Sequence, residues 1–144
     1  MESHLSDIAR VIQLSVAPAF LLVAMGTLIT ILSNRLGRIV DRLRLLQDRL
    51  ADAQGGAAID IARELDVLLH RSSLIYFAIL AAVCGALLIC LVVAGAFLGA
   101  LLTIELAKLV ASLFILAMAA MIVAWSLFLR EVYIGVQSGT HKRR

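Results

Sequence analysis

The sequence predicts an all-α integral membrane protein, with three transmembrane helices and a cytoplasmic αα-hairpin between the first and second. Three observations carry that prediction. The 144 residues are 62% hydrophobic and 16% charged, with a mean hydropathy of +1.03. Soluble domains are roughly 45–50% apolar and about 25% charged, and a small sphere cannot bury so large an apolar excess. Disorder is excluded on the same ground, because disordered chains are poor in hydrophobic residues. Second, three runs carry no charge: Val11–Ser33, Ser72–Leu102 and Leu109–Leu129. Each holds the roughly 20 apolar residues that a membrane-spanning helix needs. They are rich in Leu and Ala and do not alternate, which argues against barrel strands. Third, the segment between the first two runs is highly charged yet keeps a helical period.

Taken in order, residues 1–10 form an external N-terminal segment. Glu2, Asp7 and Arg10 do not make the positive head of a signal peptide, and Asn34-Arg35 is not a small-residue cleavage pattern. Residues 11–34 are therefore a retained first span. Pro18 lies in its outer part, where it removes one backbone donor. Residues 35–71 form the hairpin. Leu36, Ile39, Leu43, Leu46 and Leu50 recur at spacings of three and four, a heptad seam. Gly55-Gly56 marks the reversal at 55–56. On the return arm Ala58, Ala62, Leu65, Leu69 and Ser72 share one face, Ile61 and Leu68 sit at its edge, and Glu64 points away. Nothing interrupts either arm where it meets its span, so each span is expected to run straight into the hairpin.

Residues 72–102 are the second span, longer than the hydrocarbon core requires. Its Gly95 and Gly99 form a GxxxG pair that marks close packing or a bend. Residues 103–108 are an external loop. Residues 109–129 are the third span, with a small face of Ala117, Ala120 and Ala124. Residues 130–144 are a cytoplasmic basic tail.

Lys and Arg set the orientation. Seven lie between the first two spans and four beyond the third, against one before the first span and one between the second and third. The N-terminus is expected outside and the C-terminus in the cytoplasm, in an inner (plasma) membrane. Tyr76, Trp125 and Tyr133 fall near the cytoplasmic boundary, where amphipathic rings settle. The basicity, a net charge of +3, is thus topological. Six acids offset the seven arginines of the middle segment, so nucleic acid is not expected as a partner.

The first span is not uniformly greasy. At 100° per residue, Ser15, Ala19, Gly26, Thr27, Thr30, Ser33, Asn34 and Gly37 fall in an arc of about 120°. Leu14, Leu21, Met25, Leu28, Ile29 and Leu32 fall opposite and should pack on the second span. Small residues allow close helix approach, and hydroxyl or amide groups bond across helices or line pores. Gly26, Thr27, Thr30, Ser33, Asn34, Gly37 and Asp41 are the candidates for an oligomer interface or a pore lining. Beside the hairpin seam runs a stripe of Arg35, Arg38, Arg42 and Arg49. It reads either as a solvated surface with pairs such as Arg44–Asp48, or as one half of inter-subunit charge pairing.

No catalytic constellation appears. His4, His70 and His141 are isolated, so no metal site is expected. Cys84 and Cys90 lie on different faces of one helix, and there is no phosphate loop or dinucleotide fingerprint. Neither a cofactor nor enzymatic activity is expected. The reading is a homo-oligomeric membrane protein, with an ion-conducting pore lined by the first span. The alternative is a scaffold or regulatory subunit whose hairpin docks a cytoplasmic protein.

Two stretches carry a family resemblance. They are Ser15-Val16-Ala17-Pro18-Ala19-Phe20-Leu21-Leu22 and Leu32-Ser33-Asn34-Arg35-Leu36-Gly37-Arg38-Ile39-Val40-Asp41-Arg42. Phe128-Leu129-Arg130-Glu131-Val132 adds to them. Together they resemble small bacterial membrane proteins of the domain-of-unknown-function family numbered 2721. The resemblance implies a three-helix protein of the bacterial inner membrane and carries over no activity and no functional residues.

Overall fold

A computed structural model of the chain describes residues 2–102 and 105–141, with the backbone alone at 2–8, 11 and 138–141. The described residues form three helices: α1 (Glu2–Asp52), α2 (Gly56–Leu102) and α3 (Ala107–His141). All three are long and apolar enough to cross a membrane. As the uninterrupted periodicity requires, α1 passes from its apolar run into the charged segment without a break. α2 joins the return arm to the second apolar run in the same way. Pro18 lies inside α1. Residues 130–141, expected as a tail, continue α3. The basic end Lys142-Arg143-Arg144 and the loop residues Thr103 and Ile104 lie outside the described residues, as do the side chains of His4, Asp7 and His141.

The turn between α1 and α2 is formed by residues 53–55 rather than the expected 55–56, and one glycine in it has a positive φ. Gly55 has φ +65°, a conformation that costs a residue with a Cβ roughly 1–2 kcal/mol. The Ala53 N–H donates to the Leu50 carbonyl at 3.4 Å, and the Ala58 N–H donates to the Gly55 carbonyl at 3.2 Å, closing the two helix ends. Gly56 is already the first residue of α2. Gly55→Ala is therefore expected to cost about 1–2 kcal/mol. Gly56→Ala, with open space around its Cβ position, should fall within a few tenths of wild type or gain slightly. Thermal unfolding in detergent checks both.

The chain divides into two compact units. One comprises residues 1–29 with 81–123. Its core is Met25, Ile89 and Ala117, packed about by Leu21, Leu22, Ala86, Leu88, Met118 and Met121. Packing is tight at Gly85, where an added Cβ would lie 2.6 Å from Met25 Cε and 3.4 Å from Ala120 Cβ. Gly95 of the GxxxG pair faces Val110, whose Cγ2 would be 3.2 Å from a Cβ there, so the chain is closely packed at Gly95. Leu14, expected to pack on the second span, is 66% exposed. In lipid an exposed leucine carries no penalty, so the apolar stripe of a span overstates what is buried.

The other unit comprises residues 30–80 with 124–144. Of the predicted seam, Ile39, Leu43 and Leu46 are buried while Leu36 and Leu50 are half-buried; Leu32 of α1, Leu65, Leu74, Ile75 and Ala78 of α2 and Ala124 of α3 are buried as well. The α2 face is rotated by one residue from the expected one. Leu68 is 8% exposed and Leu69 52%. The rotation brings Glu64 and Arg71 to the edges of the seam. Each then finds an ionic partner, a pairing that a face drawn from apolar residues alone does not contain.

Candidate functional site

The predicted α1 face does not fold into the chain's own core. Gly26, Thr27, Thr30, Ser33, Asn34, Gly37 and Asp41 are all exposed. Added Cβ atoms at Gly26 and Gly37 would meet nothing within 4 Å. The Thr27 hydroxyl donates to the Val23 carbonyl one turn back, at 3.0 Å. Among the described residues, the Ser33 hydroxyl and the Asn34 amide have no hydrogen-bond partner.

The arginine stripe divides. Arg49 is exposed, and among the described residues no ion pair joins Arg44 to Asp48. Surface pairs of that kind contribute little. Arg35 and Arg42 turn inward and pair within the chain. The Arg42 Nε and Nη2 both donate to Glu64 Oε1, at 3.1 and 2.7 Å. The Arg35 Nε lies 3.4 Å from Glu131 Oε2, and its guanidinium carbon is 5.4 Å from the centroid of the Phe128 ring. Such a cation–π contact is worth about 0.5–1 kcal/mol at a partly exposed site.

Glu131 is the centre of this second site. Its side chain is 0% exposed. The Arg71 Nε and Nη2 both donate to its Oε1, at 3.2 and 2.7 Å. Oε2 has no hydrogen bond and only the longer contact with Arg35. A buried carboxylate alone is very costly, and two guanidiniums offset that cost. Each helix contributes at helical spacing. On α3, Phe128, Glu131 and Gly135 stand three and four apart and share a face. Gly135 leaves room for the Arg71 guanidinium, since an added Cβ would come within 2.8 Å of its Nη2 and displace it. On α1, Arg35, Arg38, Ile39 and Arg42 share a face; on α2, Glu64, Leu68 and Arg71 do. Three helices are thus tied by one carboxylate.

The four arginines Arg35, Arg38, Arg42 and Arg71 line one open cleft of about 330 Å³, floored by Ile39 and Leu68. Sequence reasoning places three of these arginines in a surface stripe and omits Arg71 and Glu131. A signal was present: Glu131 is the sole acidic residue after Lys108, and it stands one helical turn from Phe128. Among the described residues, no group of His, Cys, Asp and Glu could hold a metal ion. Cys84 and Cys90 are free and exposed.

Residues 15–140 match the model of a family described as "Protein of unknown function (DUF2721)". The chain belongs to this family. The match covers the whole α1 face and every member of the Arg35–Arg71–Glu131 cluster, so both lie within the family's domain. No curated protein and no solved structure matches the chain at a significant level.

Proposed function

We propose that this family member is a homo-oligomeric, non-enzymatic inner-membrane protein whose copies meet through the α1 face. The observation that carries the reading is the exposure of Thr27, Ser33 and Asn34 on one face of α1, together with the open space at Gly26 and Gly37. Such a face offers small residues and hydrogen-bonding groups to another polar face or to water. Gly26 and Gly37 permit the close approach that helix association in lipid depends on. Gathered around an axis, Thr27, Thr30, Ser33 and Asn34 form successive polar rings with Asp41 at one mouth, and the assembly conducts ions. The excess of Lys and Arg in the middle segment and beyond the third span supports an N-terminus outside and a C-terminus in the cytoplasm. The Arg35–Arg71–Glu131 cluster then lies towards the cytoplasmic side.

Thr30→Trp places a large ring on this face. It is expected to lower the subunit number in mild detergent and to abolish ion flux in liposomes. A wild-type protein that is monomeric, or an oligomer with no flux under any ion gradient, overturns the pore. A second reading rests on Leu45 and Ile59, which are exposed near the α1–α2 turn. There the charged arms dock a cytoplasmic protein. Stoichiometric co-purification of one foreign chain, lost in Ile59→Asp, favours that reading.

A further inference from the structure

The geometry points to a phosphate-binding site in the cleft lined by Arg35, Arg38, Arg42 and Arg71, for the phosphate of a lipid headgroup or of a soluble phosphate compound. The charge is the first argument. The carboxylates of Glu131 and Glu64 engage Arg35, Arg71 and Arg42. Arg38 has no ionic partner among the described residues. Four guanidiniums against two carboxylates leave an excess of two positive charges on one cleft, which matches a phosphate group.

Preorganisation is the second argument. Arg71 commits Nε and one Nη2 hydrogen to Glu131 Oε1, and the absent side chain at Gly135 lets its guanidinium lie flat against α3. Arg42 is held in the same two-point way by Glu64. A guanidinium has five N–H donors, so each of these two keeps three, in fixed planes. Planar forks fixed in this manner suit tetrahedral oxyanions and lose little entropy on binding. Glu131, which pairs with two lining arginines without lining the cleft itself, is thus a positioning residue. Arg38 is exposed, with all its donors uncommitted, and is the arm that closes on the anion.

The setting is the third argument. Tyr76, Trp125 and Tyr133 of the same unit are exposed, and amphipathic rings settle at headgroup level. Tyr76 follows Arg71 by five residues, about 7–8 Å along a helix. Lipid phosphates lie at that depth, and the cleft is open at the protein surface.

The test uses the full chain with Arg38→Gln, and with Arg49→Gln as a control of equal charge change on the same helix outside the cleft. In one arm, protein from micelles of phosphatidylglycerol or phosphatidylcholine is weighed by native mass spectrometry for retained lipid. In the other, inorganic phosphate is titrated into lipid-free detergent protein at constant ionic strength, with thermal stability as the readout. We expect retention of phosphatidylglycerol, stabilisation by phosphate, or both. Arg38→Gln should weaken the positive arm about tenfold, the loss of one charge-assisted bond. Arg49→Gln should stay within about twofold. Arg42→Gln, at a second lining position, should weaken binding in the same direction as Arg38→Gln. A positive lipid arm alone assigns a phospholipid, and a positive phosphate arm alone assigns a soluble phosphate compound. Failure of both arms, or equal losses in Arg38→Gln and Arg49→Gln, overturns the site.

Discussion

Arg71→Ala is expected to destabilise the protein by about 3–5 kcal/mol, the usual cost of removing one partner from a buried ion pair. The magnitude follows from what stays behind. Glu131 is fully enclosed, and the substitution takes away both hydrogen bonds to its Oε1. Only Arg35 remains, 3.4 Å from Oε2. Glu131→Gln should cost less, because the orphaned guanidiniums are partly exposed and can find water. Arg71→Met with Glu131→Leu replaces charge by apolar volume and should recover part of the loss, since paired replacement of a buried ion pair is often neutral. Unfolding of the purified protein in detergent, by heat or by added sodium dodecyl sulfate, measures all three. A loss below about 1 kcal/mol for Arg71→Ala would mean that water reaches Glu131 and that the tie does not hold the helices.

Gly85→Val carries the second large effect. A Cβ at Gly85 already falls at 2.6 Å from Met25 Cε, with Ala120 Cβ at 3.4 Å and the Ala117 carbonyl oxygen at 3.5 Å. Alanine alone can be admitted if the flexible Met25 side chain swings aside. Valine cannot, because its branches also meet the α3 backbone and Ala120. Overpacking of this kind costs typically 1–3 kcal/mol, and more when helices must separate. Met25→Ala should partly rescue Gly85→Val by vacating the space, while costing about 2–5 kcal/mol in a wild-type background as a large-to-small core change. The double-mutant cycle in thermal unfolding gives the coupling, and additive losses would show that the two residues are not in contact.

Most of the helical architecture was legible in the sequence, because charge-free runs and the three-and-four spacing of Leu36–Leu50 are dictated by water and by helix geometry. The continuity of α1 and α2 followed from the lack of any breaker at residues 34–35 or 71–72. What could not be read was how the arms turn about their own axes. An apolar pattern leaves Leu68 and Leu69 both eligible for the seam, and the choice depends on where Glu64 and Arg71 find partners. The site was half legible for the same reason. Arg35 and Arg42 were visible as a stripe, but an exposed stripe and an inward one have the same spacing. Glu131 lies 60 residues from Arg71, and no local rule connects them. The exposure of the polar α1 face was legible, since that face depends on the geometry of one helix alone.

The distance along the chain between Arg71 and Glu131 also has a meaning in time. At roughly 5–20 residues per second of synthesis, the carboxylate emerges about 3–12 s after the arginine it serves. During that interval Arg35 and Arg71 lack the carboxylate they pair with in the folded chain. The first two helices are therefore an unfinished object until the third arrives. A chain truncated before Glu131 would lack the carboxylate with which Arg35 and Arg71 pair.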